Sequence, residues 1–332
     1  MNYNVAVVGA TGMVGRQLIS ILEERNFPVE NLYLFSSNRS AGTKLIFKNK
    51  EVIVEELKKD NIENKKIDFA LFSAGGDTSF QFAPVFANLG TIVIDNSSAW
   101  RMNPEVPLVV PEVNADDLKW HKGIIANPNC STIQAVVALK PLLDSYGIKR
   151  IIYSTYQAVS GAGLGGFNDL KDGATGIAPK KFQHPIAYNV LPQIDVFLDN
   201  GYTKEEMKMI EETRKILGND SLKITSTTVR VPVFHGHSES INIELESQFD
   251  LEDIFNLFKA SRGIVVMDDP KNNIYPMPLD IAGKDEVYIG RIRRDFSVDN
   301  GLNLWVVADN IRKGAALNAV QIAESFIENN LI

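Results

Sequence analysis

The 332-residue chain contains a single cysteine, Cys130, which excludes an intramolecular disulfide and any multi-cysteine zinc site. No apolar run approaches the roughly 20 residues that a membrane-spanning helix needs. The opening Met1-Asn2-Tyr3-Asn4 has no basic region and leads into only a short apolar stretch, so no signal peptide is expected. An excess of positive charge is also missing. Lys plus Arg number 34 against 41 Asp plus Glu, a net charge of −7, and a nucleic-acid backbone would be repelled on average. Internal repeats, low-complexity tracts and long Pro/Gly/Ser linkers do not occur. These absences together point to a cytoplasmic protein without nucleic-acid or membrane partners.

Hydrophobic residues make up 45% and charged residues 23%, ordinary for a folded globular protein. At about 150 residues per domain, the length suggests two domains. The first third alternates strands and helices. Val5 to Val8, Leu32 to Phe35, Phe69 to Phe72 and Ile92 to Asp95 read as strands, and Met13 to Arg25 and Thr78 to Leu89 as helices. That rhythm predicts a parallel sheet covered on both faces. Beyond Asn127 the pattern changes. A helix from Ser131, kinked at Pro141, is followed by period-two strands at Ile224 to Phe234, Ser238 to Leu245, Val287 to Arg293 and Leu302 to Val307. Helices are expected at Thr203 to Leu217 and Leu251 to Ala260. The amphipathic segment Gly314 to Asn329 is placed to return to the first domain. The fold class is therefore α/β: a Rossmann-like domain of residues 1–127 plus 314–332, and an α+β domain with a mixed sheet of residues 128–313.

Between the first strand and the first helix stands Gly9-Ala10-Thr11-Gly12-Met13-Val14-Gly15. Glycines let backbone N–H groups approach a pyrophosphate at a helix N-terminus. An ordinary tight turn is the plainer explanation of such spacing, but the strand-turn-helix context favours a nucleotide. The second strand ends in Ser36-Ser37-Asn38-Arg39-Ser40, with no carboxylate for a ribose 2′-hydroxyl. Arg39 with Ser40 suits a 2′-phosphate, hence NADP, against the alternative of a solvated loop charge.

Cys130 lies in Asn127-Pro128-Asn129-Cys130-Ser131-Thr132, at the start of a predicted helix whose dipole favours the thiolate. Most lone cysteines are small buried hydrophobes, but these neighbours are polar and turn-forming. A thiolate adding to an aldehyde gives an alkoxide that donates hydride to a nicotinamide, so the two motifs support each other. The acid-base partner would come from His121, His184, His235 or His237. His235 and His237 read as sharing a strand face, but no further ligands accompany them, so no metal is expected. Arg101 ends a parallel strand, Arg230 precedes His237, and Arg291, Arg293 and Arg294 read as a strand face or subunit contact.

On these residues the sequence resembles the aspartate-semialdehyde dehydrogenases. The resemblance runs from the glycine turn to Val307-Ala308-Asp309-Asn310-Ile311-Arg312-Lys313-Gly314, and is most specific at Asn127 to Thr132, Gln157-Ala158-Val159-Ser160-Gly161-Ala162-Gly163 and Arg230-Val231-Pro232-Val233 with His235-Gly236-His237-Ser238. It implies reversible conversion of aspartate 4-semialdehyde, phosphate and NADP to 4-aspartyl phosphate and NADPH, in the biosynthesis of lysine, threonine, methionine and isoleucine. Cys130 would be the thioester-forming nucleophile and His237 the acid-base. Arg230 would pair with the substrate carboxylate, Gln157 orient the substrate, and Glu212 receive its ammonium. Arg101 and Lys215 would bind phosphate. Gly9, Thr11, Gly12, Met13, Val14, Gly15, Arg39, Ser40, Ser160, Gly161 and Asn310 would contact the cofactor. A homodimer is implied as well.

Three other readings compete. N-acetyl-gamma-glutamyl-phosphate reductase shares the thiol and hydride logic, but its nucleophile is flanked by different residues and its substrate has no free ammonium. Glyceraldehyde-3-phosphate dehydrogenase has a different nucleotide turn and a ribose-binding Asp that is missing here. A non-catalytic NADP sensor would have no need of Cys130, Gln157 and His237 together.

Overall fold

The computed structural model describes residues 1–331. Cα packing divides the chain into two units, one of Met1–Pro128 with the segment from Ala315 onward, the other of Asn129–Gly314. Among the described residues, no helix is long and apolar enough to cross a membrane.

The first unit contains β1 (Tyr3–Val8), α1 (Met13–Glu24), β2 (Val29–Ser36), β3 (Lys44–Phe47), β4 (Lys50–Glu56), α2 (Lys59–Glu63), β5 (Phe69–Phe72), α3 (Gly76–Asn88), β6 (Ile92–Asp95), α4 (Pro111–Asn114) and β7 (Ile124–Ala126). The strands form one sheet in the order β3-β4-β2-β1-β5-β6-β7, parallel except for the β3-β4 hairpin. Strands β5 and β6 are buried along their whole length, as expected of a parallel sheet covered on both faces. The C-terminal helix Leu317–Glu328 buries Leu317, Val320, Ile322 and Phe326 in the same core as Val5, Leu18 and Phe69. Strand order reverses on either side of β1, and the glycine turn leaves β1 at its carboxyl end, where open α/β sheets bind ligands.

The second unit contains α5 (Cys130–Tyr146), β8 (Ile148–Gln157), α6 (Gly163–Gly173), α7 (Lys204–Leu217), β9 (Lys223–Arg230), β10 (His237–Leu245), α8 (Leu251–Ala260), β11 (Ile264–Val266), α9 (Pro278–Ile281), β12 (Val287–Asp295) and β13 (Gly301–Ala308). Its mixed sheet runs β11-β12-β13-β10-β8-β9. Helix α5 is buried nearly all round from Ser131 to Leu139, because it packs against α7, α8 and the sheet. It begins one residue earlier than expected, at Cys130, and continues through Pro141.

Other expectations are corrected. Strand β9 stops at Arg230, short of Phe234, because Pro232 has no N–H to donate to a ladder. His235 consequently lies in a turn through Gly236, at φ +85°, and does not share a strand with His237. A bulge between Gly290 and Arg293 interrupts the ladder at the arginine cluster, while Arg291 and Arg293 still line one surface pocket with Trp305. Arg291 there has φ +51°, and Arg294 turns to lie 4.2 Å from the Phe249 ring centroid.

Candidate active site

In the second unit the site is built from one row of side chains. Strands β9, β8 and β10 are neighbours, and their register pairs Gln157 with Arg230 and, one step on from Ser238 with Tyr156, sets His237 opposite Gln157. Cross-strand neighbours share a face, so Arg230, Gln157 and His237 project together. All three are buried. Their order along the chain conceals this, because β8 and β9 are separated by two helices.

The Ala158 peptide groups tie the row together. Arg230 Nη1 donates to the Ala158 carbonyl at 2.7 Å, and the Ala158 N–H donates to His237 Nδ1 at 2.9 Å. An acceptor at Nδ1 places the proton of a neutral imidazole on Nε2, which is buried and has no protein partner. Burial, with the Arg230 cation, lowers the His237 pKa to about 3, against the opposing pull of Glu205. His237 is therefore a neutral ring with one N–H to offer. Arg230 Nε is likewise buried without a partner. Asp169 accepts three backbone amides, from Lys180, Lys181 and Phe182, which orders the loop that lays the Phe182 ring 5.9 Å from the Arg230 guanidinium.

Cys130 is the first residue of α5, half-buried, and its helix is capped by Asn129. Asn129 Oδ1 accepts from Ser131 N–H at 3.0 Å and Thr132 N–H at 3.4 Å. Those two amides are already satisfied, so the helix dipole and the Arg230 cation, which interacts electrostatically with Cys130, are what favour a thiolate. Gln134 Nε2 donates to the His237 carbonyl at 3.3 Å, tying the cysteine's helix to the histidine's strand. A Cβ on Gly314 would lie 2.8 Å from the Cys130 Cβ, so only glycine fits behind the thiol. A Cβ on Gly161 would stand 2.9 Å from Arg230 Nη1 and 3.3 Å from His237 Nε2, so glycine leaves both nitrogens uncovered there.

The acidic member of the cluster is Glu205, a residue the sequence reading missed. Its Oε1 accepts from Asn129 Nδ2 at 2.8 Å and Gln157 Nε2 at 3.1 Å, and its Oε2 from Lys208 at 2.9 Å. Burial raises its pKa, but Lys208 and the two amide donors outweigh that and hold the carboxyl at about 2. Glu212, expected in this place, accepts the Asn129 backbone N–H at 2.6 Å and so helps anchor the start of α5. The pattern Glu-x-x-Lys occurs in α7 at both Glu205/Lys208 and Glu212/Lys215, seven positions apart on one stripe, so spacing alone cannot separate them. Contact with Gln157 does. Lys215 lies in the last turn of α7.

Ser160 and Asn310 also belong to this unit, bonded to each other. Asn310 Nδ2 donates to Ser160 Oγ at 3.0 Å, and Asn310 Oδ1 accepts from Gly236 N–H at 3.0 Å, immediately before His237.

In the first unit, Gly9 has φ +84°, and a Cβ there would lie 2.3 Å from the Ser73 carbonyl. A Cβ on Gly15 would lie 2.2 Å from the Gly9 carbonyl. These two glycines allow the turn to close against β5 and α1. Gly12 caps α1 without a side chain, and no acidic residue stands in the first turn, where Met13, Val14 and Gly15 present helix N-terminal amides. That end fits a phosphate. Thr11 Oγ1 lies 3.0 Å from Ser36 Oγ and 3.4 Å from Ser40 Oγ, and Arg39 is exposed beside them at the end of β2. Arg101 is buried, with Nε donating to the Asn127 carbonyl at 2.9 Å and Nη2 to the Asn96 carbonyl at 2.8 Å. No group of three or more His, Cys, Asp or Glu placed to hold a metal occurs among the described residues.

Two family models match the chain: "Semialdehyde dehydrogenase, NAD binding domain" over residues 4–121 and "Semialdehyde dehydrogenase, dimerisation domain" over residues 139–313. The aspartate-semialdehyde dehydrogenase of Aquifex aeolicus is 58% identical over 100% of both chains. A structure of aspartate semialdehyde dehydrogenase II from Vibrio cholerae complexed with ASA superposes with a TM-score of 0.94, at 46% identity and 99% coverage of both chains. That of the Candida albicans aspartate semialdehyde dehydrogenase with NADP gives 0.79, at 26% identity and 100% coverage of both.

Proposed function

The chain belongs to the aspartate-semialdehyde dehydrogenase family, and from that membership we propose that it converts aspartate 4-semialdehyde, phosphate and NADP reversibly to 4-aspartyl phosphate and NADPH, in cytoplasmic amino-acid biosynthesis. The observation that carries this reading is the single buried row of Arg230, Gln157 and His237, with Cys130 within electrostatic reach of Arg230.

Arg230 pairs with the substrate carboxylate and Gln157 orients the substrate. Glu205 takes the ammonium, in preference to Glu212, because it is the ionised carboxylate that touches Gln157. Lys208 stands to Glu205 as Lys215 stands to Glu212, so Lys208 is a candidate phosphate cation of the second unit beside Lys215, and Arg101 is the candidate of the first. The glycine turn, Arg39 and Ser40 hold NADP, which when bound supplies the acceptor or donor for hydride at the substrate carbon.

The Cys130 thiolate adds to the aldehyde carbon, and His237 Nε2–H donates a hydrogen bond to the oxygen that becomes negative. Nδ1 is occupied by the Ala158 amide, so His237 acts as a hydrogen-bond donor to the developing oxyanion, and Arg230 with the helix dipole favours the thiolate. The acyl group stays on sulfur as a thioester until a phosphate oxygen attacks and Cys130 leaves as thiolate.

The second unit associates with another copy through the outer face of its sheet. That face carries Tyr156, 39% exposed, packed 5.5 Å from Trp305 between ring centroids, and the matched model names this region a dimerisation domain. Sedimentation should give twice the chain mass.

The test of function is NADP reduction with aspartate semialdehyde and, in parallel, N-acetylglutamate semialdehyde. Phosphate-dependent turnover with the first supports the reading, and turnover with the second alone overturns it.

A further inference from the structure

Behind the active-site row lies a carboxyl that the proposed reaction does not use. Glu239 on β10 is fully buried, and neither of its oxygens has a hydrogen-bond partner. The register sets it opposite Thr155 on β8, and Thr155 opposite Thr228 on β9. These three residues form the row next to His237, Gln157 and Arg230 and face the same way, with neighbouring Cβ atoms about 5 Å apart. Thr155 and Thr228 are also fully buried, and Thr228 Oγ1 is without a partner.

Thr155 Oγ1 donates to Gln157 Oε1 at 3.0 Å, and Gln157 Nε2 donates to Glu205 at 3.1 Å. The orientation of the Gln157 amide therefore depends on where Thr155 sends its one proton. An ionised Glu239 would compete for that proton, since hydrogen bonds to a charged acceptor are about twice as strong as neutral ones. Gln157 Oε1 would lose its donor, and a flipped amide would turn oxygen toward the Glu205 carboxylate. Burial acts against that outcome by pushing the Glu239 carboxyl well above the usual range.

We propose that Glu239 is a neutral carboxylic acid that, through a buried water seated over Thr155 between Glu239 and Thr228, drives a one-way chain of hydrogen bonds fixing the Gln157 amide. Such a water would have three polar neighbours, Glu239, Thr155 and Thr228, within the two to four that a buried water takes. The chain runs from Glu239 O–H through the water to Thr155, from Thr155 to Gln157 Oε1, and from Gln157 Nε2 to Glu205. Glu239 is a positioning residue, and its kinetic consequence rests on the role proposed for Gln157.

Infrared difference spectroscopy of the wild-type protein against Glu239→Gln at neutral pH tests the protonation without reference to the reaction. A carboxylic-acid C=O band, shifted in D₂O and missing from the variant, is expected. Kinetics test the chain. Thr155→Val and Glu239→Leu should each raise the KM for the semialdehyde about tenfold, with kcat changed less, and the double variant should be no worse than the poorer single one. Glu239→Gln, which keeps a donor, should restore KM to within about twofold of wild type. A missing acid band overturns the proposal, as does an unchanged KM in a Thr155→Val protein of wild-type melting temperature. An acid band in a wild-type protein inactive on the semialdehyde would remove the substrate reading and uphold the protonated Glu239.

Discussion

In the first unit, the groups proposed to hold the cofactor are backbone amides at the end of one strand, framed by Gly9 and Gly15, together with the side chains of Thr11, Arg39 and Ser40. In the second, they are buried side chains on three adjacent strands and on α7, each held by a further residue: Ala158 for Arg230 and His237, Thr155 for Gln157, Asn129 and Lys208 for Glu205. A backbone site needs space and a helix end, so it is written in a short stretch of sequence. A side-chain site in a closed interior needs every polar atom placed, so it is distributed over the chain and each loss leaves a partner unsatisfied.

That difference predicts unequal responses to substitution. Cys130→Ala should lower turnover by about 10⁴-fold or more while NADP binding, measured by fluorescence titration, is retained. Loss of NADP binding in that variant would break the division of labour between the units. His237→Gln should cost about 10²–10⁴-fold in kcat. Glu205→Gln should raise the KM for the semialdehyde about tenfold to a hundredfold, whereas Glu212→Gln should mainly lower the melting temperature, because it holds the Asn129 amide at the start of α5. Equal KM effects would return the ammonium site to Glu212. Arg39→Ala should weaken NADP about tenfold and leave NAD nearly unchanged, and equal losses would show that Arg39 does not read the 2′-phosphate.

A separate effect concerns stability against pH. With a folded pKa of about 3, His237 stays neutral where the unfolded chain, at the ordinary value of 6.5, takes up a proton. Acid therefore favours unfolding, so wild-type stability should fall relative to His237→Gln as pH drops from about 6.5 toward about 3. A constant difference in melting temperature over that window would contradict the buried, neutral imidazole.

The same contrast explains what was legible in the sequence. The glycine turn, the strands Phe69–Phe72 and Ile92–Asp95 and the helix starting beside Cys130 follow from local pattern, because each is fixed by its own neighbours. Strand β8 was not anticipated, although its buried residues Ile151, Tyr153, Thr155 and Gln157 alternate, and with it went the row that joins Gln157 to Arg230 and His237. Two of those positions are polar, so the alternation does not register as hydrophobic. The β3-β4 hairpin was also missed, as its exposed residues Lys44, Lys50 and Glu51 hide a buried Leu45 and Phe47. Glu205 was overlooked because Glu212 repeats its spacing to a lysine, and only contact with Gln157 distinguishes them.

The central claim is that Cys130 carries the acyl group, and intact-protein mass spectrometry addresses it directly. Mixed with aspartate semialdehyde and NADP without phosphate, the wild-type protein should form NADPH up to one equivalent and gain an acyl adduct that maps to Cys130, released on adding phosphate. NADPH formation with an unmodified Cys130 would contradict the account.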